Sequence, residues 1–442
     1  MNDRPDISRI VEDSLCHCCG ACAGVCPDDA ISFEETVTGF LFPVVDPQKC
    51  SACGSCLTVC PGGSFGDALT GVLPDDPFTG NSLRSFAGKS TDERIYANSQ
   101  SGGIASELLI HGLRSGNIAG AVVVTMKPGA PPRPEAYLAS SVEEIVEAQK
   151  SKYTPVPLLE VLSRLDQIPG KVAIVGLSCH IHGLIKVCDL YPGLNDRIGY
   201  MIGLICDRSL SCASIDYLAM KAGFDGDEEK VFIFRDKSCG GYPGDVRVSS
   251  ADGRSTILRD IARRRIKPYL TPPRCHLCFD KMNVLSDVTI GDPHGIRSAD
   301  RKNGESICIA RSEAGLKLVE SAIESGTVTL REIPYSDIVR GQKIDRKRGT
   351  WRGFCEECLS LEHPVPDYYT SIKKYAETTA GHSHGSIENA LSLNSFSDRQ
   401  ELLTWLKKND RKDLLLNIVR SVYTYPLQAA HKLVSITRRG ST

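Results

Sequence analysis

Cys16-x2-Cys19-x2-Cys22-x3-Cys26-Pro27 recurs further along the chain as Cys50-x2-Cys53-x2-Cys56-x3-Cys60-Pro61. Three thiolates spaced two residues apart wrap three corners of one iron–sulfur cube, and the distant fourth reaches across to a second cube. On that rule Cys16, Cys19, Cys22 and Cys60 hold one [4Fe-4S] cluster, and Cys50, Cys53, Cys56 and Cys26 hold another. Cys-x2-Cys pairs also bind zinc, but two complete four-cysteine runs, each closed by proline, weigh against it. Small residues between the ligands (Gly20, Ala21, Ala52, Gly54, Ser55) let backbone amides approach the sulfurs.

Four further cysteines stand where short apolar runs end or in a close pair: Cys179, Cys206, Cys275 and Cys278. Ends of strands are where sites assemble in α/β sheets. Spacing alone leaves a third cluster and buried structural thiols equally open. The loop Asn98-Ser-Gln-Ser-Gly-Gly103 runs into a helical pattern at Ile104, which suits a phosphate cradle at a helix N-terminus or a simple cap. Ala87-Gly88-Lys89-Ser90 lacks the upstream glycine of a Walker motif.

These groups sit in 442 residues with 52 Lys+Arg, 54 Asp+Glu and 19 Cys. A net charge of -2 gives no reason to expect nucleic acid as a partner. The absence of an export signal and of an apolar run long enough for a span predicts a cytoplasmic chain whose thiols are ligands rather than disulfides. Beyond residue 95, β-branched runs at Ile118–Thr125, Lys171–Gly176, Ile198–Cys206, Lys230–Arg235, Asp287–Ile290 and Ser306–Ala310 alternate with helical spacing at Ile104–Arg114, Pro157–Leu165, Ile181–Val187 and Glu313–Glu324. Ala251-Asp252-Gly253 marks a hairpin. The expected fold is an α/β (α+β) domain at 96–340, preceded by a two-cluster domain at 1–72 and a Pro/Gly-rich linker at 73–95. A mainly helical extension at 341–442, basic and apolar-striped near its end, is expected to dock a partner.

Ser99-Gln-Ser-Gly-Gly103, Lys150-Ser-Lys-Tyr153, Val175-Gly-Leu-Ser-Cys179, Ile205-Cys206, Arg235-Asp-Lys237 and Arg274-Cys-x2-Cys278 through Asp292 occur together and in order. This set resembles the β subunit family of coenzyme F420 hydrogenases and dehydrogenases, here fused behind a bacterial-type ferredoxin domain. The resemblance implies FAD and a third [4Fe-4S] cluster in the larger domain. It implies Cys179, Cys206, Cys275 and Cys278 as cluster ligands, and Ser101, Gly102, Gly103, Lys150, Ser151, Lys152, Tyr153, Arg235 and Lys237 as FAD contacts. Coenzyme F420 is then the substrate, hydride transfer centres on FAD without a catalytic side chain, and electrons pass to a partner protein or complex that could also hold the chain at a membrane surface. A ferredoxin-dependent reductase of another organic substrate and a non-catalytic relay are the alternatives. Arg259, Arg263, Arg264, Arg265 and Lys267 form a basic stretch that either meets the anionic tail of F420 or lies on a solvated helix face. Cys239, Cys355 and Cys358, with Cys308 or Cys212, are candidates for one more metal site.

Overall fold

The computed structural model describes residues 6–376 and 396–411. Three sheets organise them. The small N-terminal unit contains a hairpin of β1 (Ile31–Glu35) and β2 (Leu41–Val45) flanked by the two cysteine runs.

The large sheet is built from β3 (Arg84–Ser90), β4 (Gly120–Lys127), β5 (Arg133–Ala139), β6 (Val172–Gly176) and β7 (Ile198–Leu204). A separate antiparallel sheet takes β8 (Lys230–Asp236), β9 (Asp245–Ser250) and β10 (Ser255–Leu258). β11 (Val288–Gly291), β12 (Ser306–Ala310) and β13 (Val328–Glu332) then complete the large sheet in the order β13-β3-β12-β11-β7-β6-β4-β5. Its centre, β4-β6-β7-β11, is parallel, and both flanks are antiparallel. Ala121, Val122, Val172, Ala173, Ile174 and Ile202 are wholly buried, as strands covered by helices on both faces require.

Two boundaries differ from the sequence reading. Residues 84–90, assigned there to the linker, form β3 between β12 and β13. Glycine and serine in β3 hide the strand from a pattern search; Gly88 is there because a Cβ would lie 1.9 Å from the Thr329 carbonyl oxygen. Leu158–Gln167 is a 3-10 helix rather than an α-helix, and its N-terminal end is taken up by the cysteine-rich unit, with the Leu159 amide donating to the Cys19 carbonyl at 2.9 Å.

The extension folds back on its own chain where it is described. Helix Ile344–Ser360 buries Trp351, whose indole N–H donates to the Leu277 carbonyl at 3.0 Å. The helical stretch 399–411 seats Leu402, Leu403 and Leu406 against Phe232 and Phe234 of β8. Arg399 joins Arg133, Glu35 and Asp216 in a four-charge cluster tying this stretch to β1, β5 and helix Ala213–Lys221. The expected partner-docking face is therefore occupied internally over these residues; the remainder, with the leucines at 414–416, lies outside the described residues. Among the described residues no helix is long and apolar enough to cross a membrane.

Candidate functional site

The two cysteine runs close on two recesses. Cys16, Cys19, Cys22 and Cys60 line one, with His17 and Gly20. Cys26, Cys50, Cys53 and Cys56 line the other, with Asp6 and Asp28. Gly20 and Gly54 are left-handed at φ 87° and 76°, a conformation that turns the chain sharply around each recess. Backbone amides aim at sulfur: Cys18 N–H reaches Cys16 Sγ at 3.3 Å, Ala30 N–H reaches Cys26 Sγ at 3.3 Å, and Ala52 N–H reaches Cys50 Sγ at 3.4 Å. Every cysteine of the described chain is an unbridged thiol. Each recess thus presents four cysteine thiols, the donor set of a [4Fe-4S] cube.

Cys179, Cys206, Cys275 and Cys278 also come together. β6 and β7 are neighbours and parallel, so the residues just past their carboxyl ends, Cys179 and Cys206, emerge side by side. Cys275 and Cys278 arrive on the turn Pro273–His276 and beyond. Burial pushes the Cys179 thiol well above its usual range, and the nearby Cys19, Cys206, Cys278 and Cys275 push it further. Thiols this close repel one another once ionised, and a cationic core held among them relieves that repulsion.

The presence of Cys19 among those neighbours joins the third set to the first recess. Helix Ser178–Leu190 begins beside Cys179, and Gly183 follows one turn later on the same face. A Cβ on Gly183 would lie 3.4 Å from Cys19 Sγ and 2.9 Å from Leu159, so this residue is bare where the helix meets the small unit. Lys186 on the next turn donates to the Cys60 and Ser64 carbonyls. Buried Arg274, adjacent to Cys275, donates to the Leu15 carbonyl at 3.0 Å. The first recess in turn meets the second, since Cys56 adds to the repulsion on the Cys22 thiol. Cys53, at the far end, is exposed.

On the other side of the third set lies a cavity of about 640 Å³, with Cys206 in its wall. Ser101, Gly103, Lys150, Ser151, Lys152, Tyr153 and Arg235 line it. Gly103, at φ 79°, caps helix Ile104–Arg114 without a side-chain acceptor, leaving first-turn amides toward an anion. Lys152 donates to the Ala148 and Gln149 carbonyls, and burial lowers it to about 7. Lys150 is left-handed at φ 73° and is also pulled down by burial. Arg263, Arg264 and Lys267 line the cavity as well, with Arg208 and Lys281, and the Arg263 guanidinium lies over the Tyr153 ring at 4.3 Å. Arg259 and Arg265 do not line it, and Arg265 approaches Asp410 instead.

Two expected contacts lie behind the wall. Lys237 donates to the Tyr96 carbonyl at 3.0 Å and the Ser101 carbonyl at 2.9 Å, bracing the loop from outside the cavity. Gly102 is wedged in backbone: its N–H donates to Ser306 Oγ at 2.9 Å and its carbonyl accepts from Ser90 N–H at 2.8 Å. The extra metal site does not assemble among the described residues. Cys239 is exposed beside Arg247, Cys308 is buried on β12, and Cys355 and Cys358 are buried on helix Ile344–Ser360 in an aromatic core.

The sequence reading assigned no cavity contact to His180, Thr154, Asp292 or Gln342, all of which line it. His180 accepts from the Leu177 amide at Nδ1 and faces the Val156 carbonyl through Nε2 at 3.2 Å; burial lowers it to about 4, so it is the neutral tautomer. A Gly-Asp pair after a strand was a visible signal for Asp292; nothing local marks Gln342.

An iron–sulfur redox unit packed against an α/β domain with a ligand cavity is the class these features define. Residues 85–163 match the N-terminal model of the coenzyme F420 hydrogenase/dehydrogenase beta subunit, 170–335 match its C-terminal model, and 15–64 match a 4Fe-4S dicluster domain. The chain belongs to the coenzyme F420 hydrogenase/dehydrogenase beta subunit family and carries an N-terminal ferredoxin domain. One subunit of the F(420)H(2) dehydrogenase of Methanosarcina mazei is 26% identical over 80% of this chain and 95% of its own length. The beta subunit of the coenzyme F420 hydrogenase of Methanosarcina barkeri is 25% identical over 62% and 93%. A chain of the solved F420-reducing [NiFe] hydrogenase complex from Methanosarcina barkeri aligns over 66% of this chain and 99% of its own, at 21% identity and a TM-score of 0.48.

Proposed function

We propose that this protein exchanges hydride with coenzyme F420 at a bound FAD and moves single electrons between that flavin and a redox partner through three [4Fe-4S] clusters. The observation that carries the reading is the shared wall: Cys206 belongs both to the cavity and to the third thiol set. FAD, when bound, supplies the conversion between paired and single electrons.

The protein's own part is placement. Ser101, Gly103 and the first turn of helix Ile104–Arg114 offer neutral donors and a favourable dipole to a pyrophosphate, with Lys150 and Lys152 beside them. Cys179, Cys206, Cys275 and Cys278 would hold the cluster nearest the flavin. Cys179 and Gly183 on one helix face then bring it against Cys19, and the order Cys19-set, Cys56-set ends at exposed Cys53. Arg208, Arg263, Arg264, Lys267 and Lys281 outnumber Asp207 and Asp260, with which four of them pair, and leave this part of the lining with a positive excess suited to an acidic substrate tail. A subunit that only relays electrons has no use for a cavity of this size beside Cys206.

The test is anaerobic mixing of the oxidised holoprotein with reduced F420, followed optically. Bleaching of flavin and cluster absorbance together is expected. Bleaching by NADH instead, or by neither donor, refutes the proposal.

A further inference from the structure

Four buried polar atoms of cavity-lining residues have no protein partner: Arg235 Nη2, Gln342 Oε1, Thr154 Oγ1 and Arg263 Nε. The first two belong to side chains fixed by one residue. Arg235 Nη1 donates to Asp292 Oδ2 at 2.7 Å and to the Tyr153 hydroxyl at 3.0 Å, while its Nε donates to the Pro243 carbonyl at 2.7 Å. Gln342 Nε2 donates to the Asp292 carbonyl at 3.0 Å, so its amide cannot be turned round and its oxygen must face away. Lys281 locks the same residue by donating to the Gln342 carbonyl at 2.6 Å. Arg235 and Gln342 are 4% and 2% exposed, so water does not satisfy the two atoms from bulk. An unmet donor and an unmet acceptor held rigidly on either side of Asp292 are costly unless a ligand completes them.

We propose that Arg235 Nη2 and Gln342 Oε1 read the pyrimidinedione edge of a flavin-type ring, the donor taking a ring carbonyl and the acceptor taking the imide N3–H. An adjacent carbonyl and N–H on a rigid plane is the chemistry that matches one fixed donor and one fixed acceptor. Isoalloxazine and deazaflavin share that edge, and a phosphate or a carboxylate lacks the N–H. Gln342 lies beyond the matched family domains, which end at residue 335, so the extension contributes a binding group to the larger domain. The inference rests on the flavin reading of the cavity but not on F420 turnover.

The experiment uses the full chain with its clusters intact and its flavin removed. FAD, 3-methyl-FAD, oxidised F420 and 3-methyl-F420 are titrated against wild type and against Gln342→Leu. Wild type is expected to reject one of the methylated ligands by roughly tenfold or more, and the variant to lose that discrimination by weakening only the parent compound. Discrimination in the FAD pair places isoalloxazine at Asp292; discrimination in the F420 pair places deazaflavin there. Equal affinities within both pairs on the wild type overturn the proposal whether or not the variant folds. Loss of F420 turnover alone, with discrimination kept, refutes the proposed substrate and leaves this site standing.

Discussion

Replacing Gly102 with Ala separates the loop's packing from its chemistry. Gly102 does not adopt a positive φ, so alanine meets no backbone strain there. It meets matter instead: the new Cβ would lie 2.4 Å from the Gly88 carbonyl oxygen and 2.5 Å from the Ser306 amide nitrogen, both backbone atoms of strands β3 and β12. Reaching ordinary contact at about 3.4 Å requires the loop to retreat by about 1 Å, because backbone in a paired sheet yields little. That retreat lengthens the two bonds made by Gly102, each worth about 1 kcal/mol, and adds an overpacking cost of about 1–3 kcal/mol. About 3 kcal/mol of stability should be lost, read by denaturant unfolding of the holoprotein. Ser101 and Gly103 move with the loop, so FAD affinity should fall at least tenfold by fluorescence titration. Gly116→Ala is the control: it has φ 72° and nothing within 4 Å of the new Cβ, so it should cost about 1 kcal/mol of strain and leave FAD affinity alone. Unchanged FAD affinity in Gly102→Ala, or identical behaviour of the two variants, refutes the assignment of this loop to the cofactor.

Other outcomes follow from the same structure. Cys179→Ala should remove about four iron atoms per chain and leave the ferredoxin signals, measured by iron analysis and low-temperature EPR; an unchanged iron count rejects its role as a ligand. Lys152, lowered by burial to about 7, gains an anionic neighbour when FAD binds, which raises it, so FAD affinity should decline as pH rises through 7, and Lys152→Met should flatten that profile. Burial alone would raise the Glu35 carboxyl, but hydrogen-bonded Arg133 and Arg399 outweigh it and hold it below its usual value. Its folded form is the anion, so the stabilisation is complete above the ordinary carboxylate range and is lost as pH falls through that range and below. Glu35→Gln should therefore lower stability at neutral pH and narrow the gap from wild type in acid, followed by thermal unfolding.

The two ferredoxin runs were legible because a cube's ligands are set by covalent spacing: a few residues of chain determine where three thiols can reach. The hairpin at Asp245–Leu258 and helices Ile104–Arg114 and Glu313–Glu324 were legible for the same local reason, since turn residues and periodicity belong to a single segment. β3 was not, because its small residues serve a neighbour's backbone rather than a hydrophobic face. Tertiary structure alone decided that Cys179 stands beside Cys19, that Lys237 braces the loop from behind, and that the Gln342 amide is tied to the Asp292 carbonyl at the cavity wall. Each of these depends on which strands lie next to one another, and strand order is fixed by the packing of segments hundreds of residues apart, for which no single stretch of sequence carries a signal.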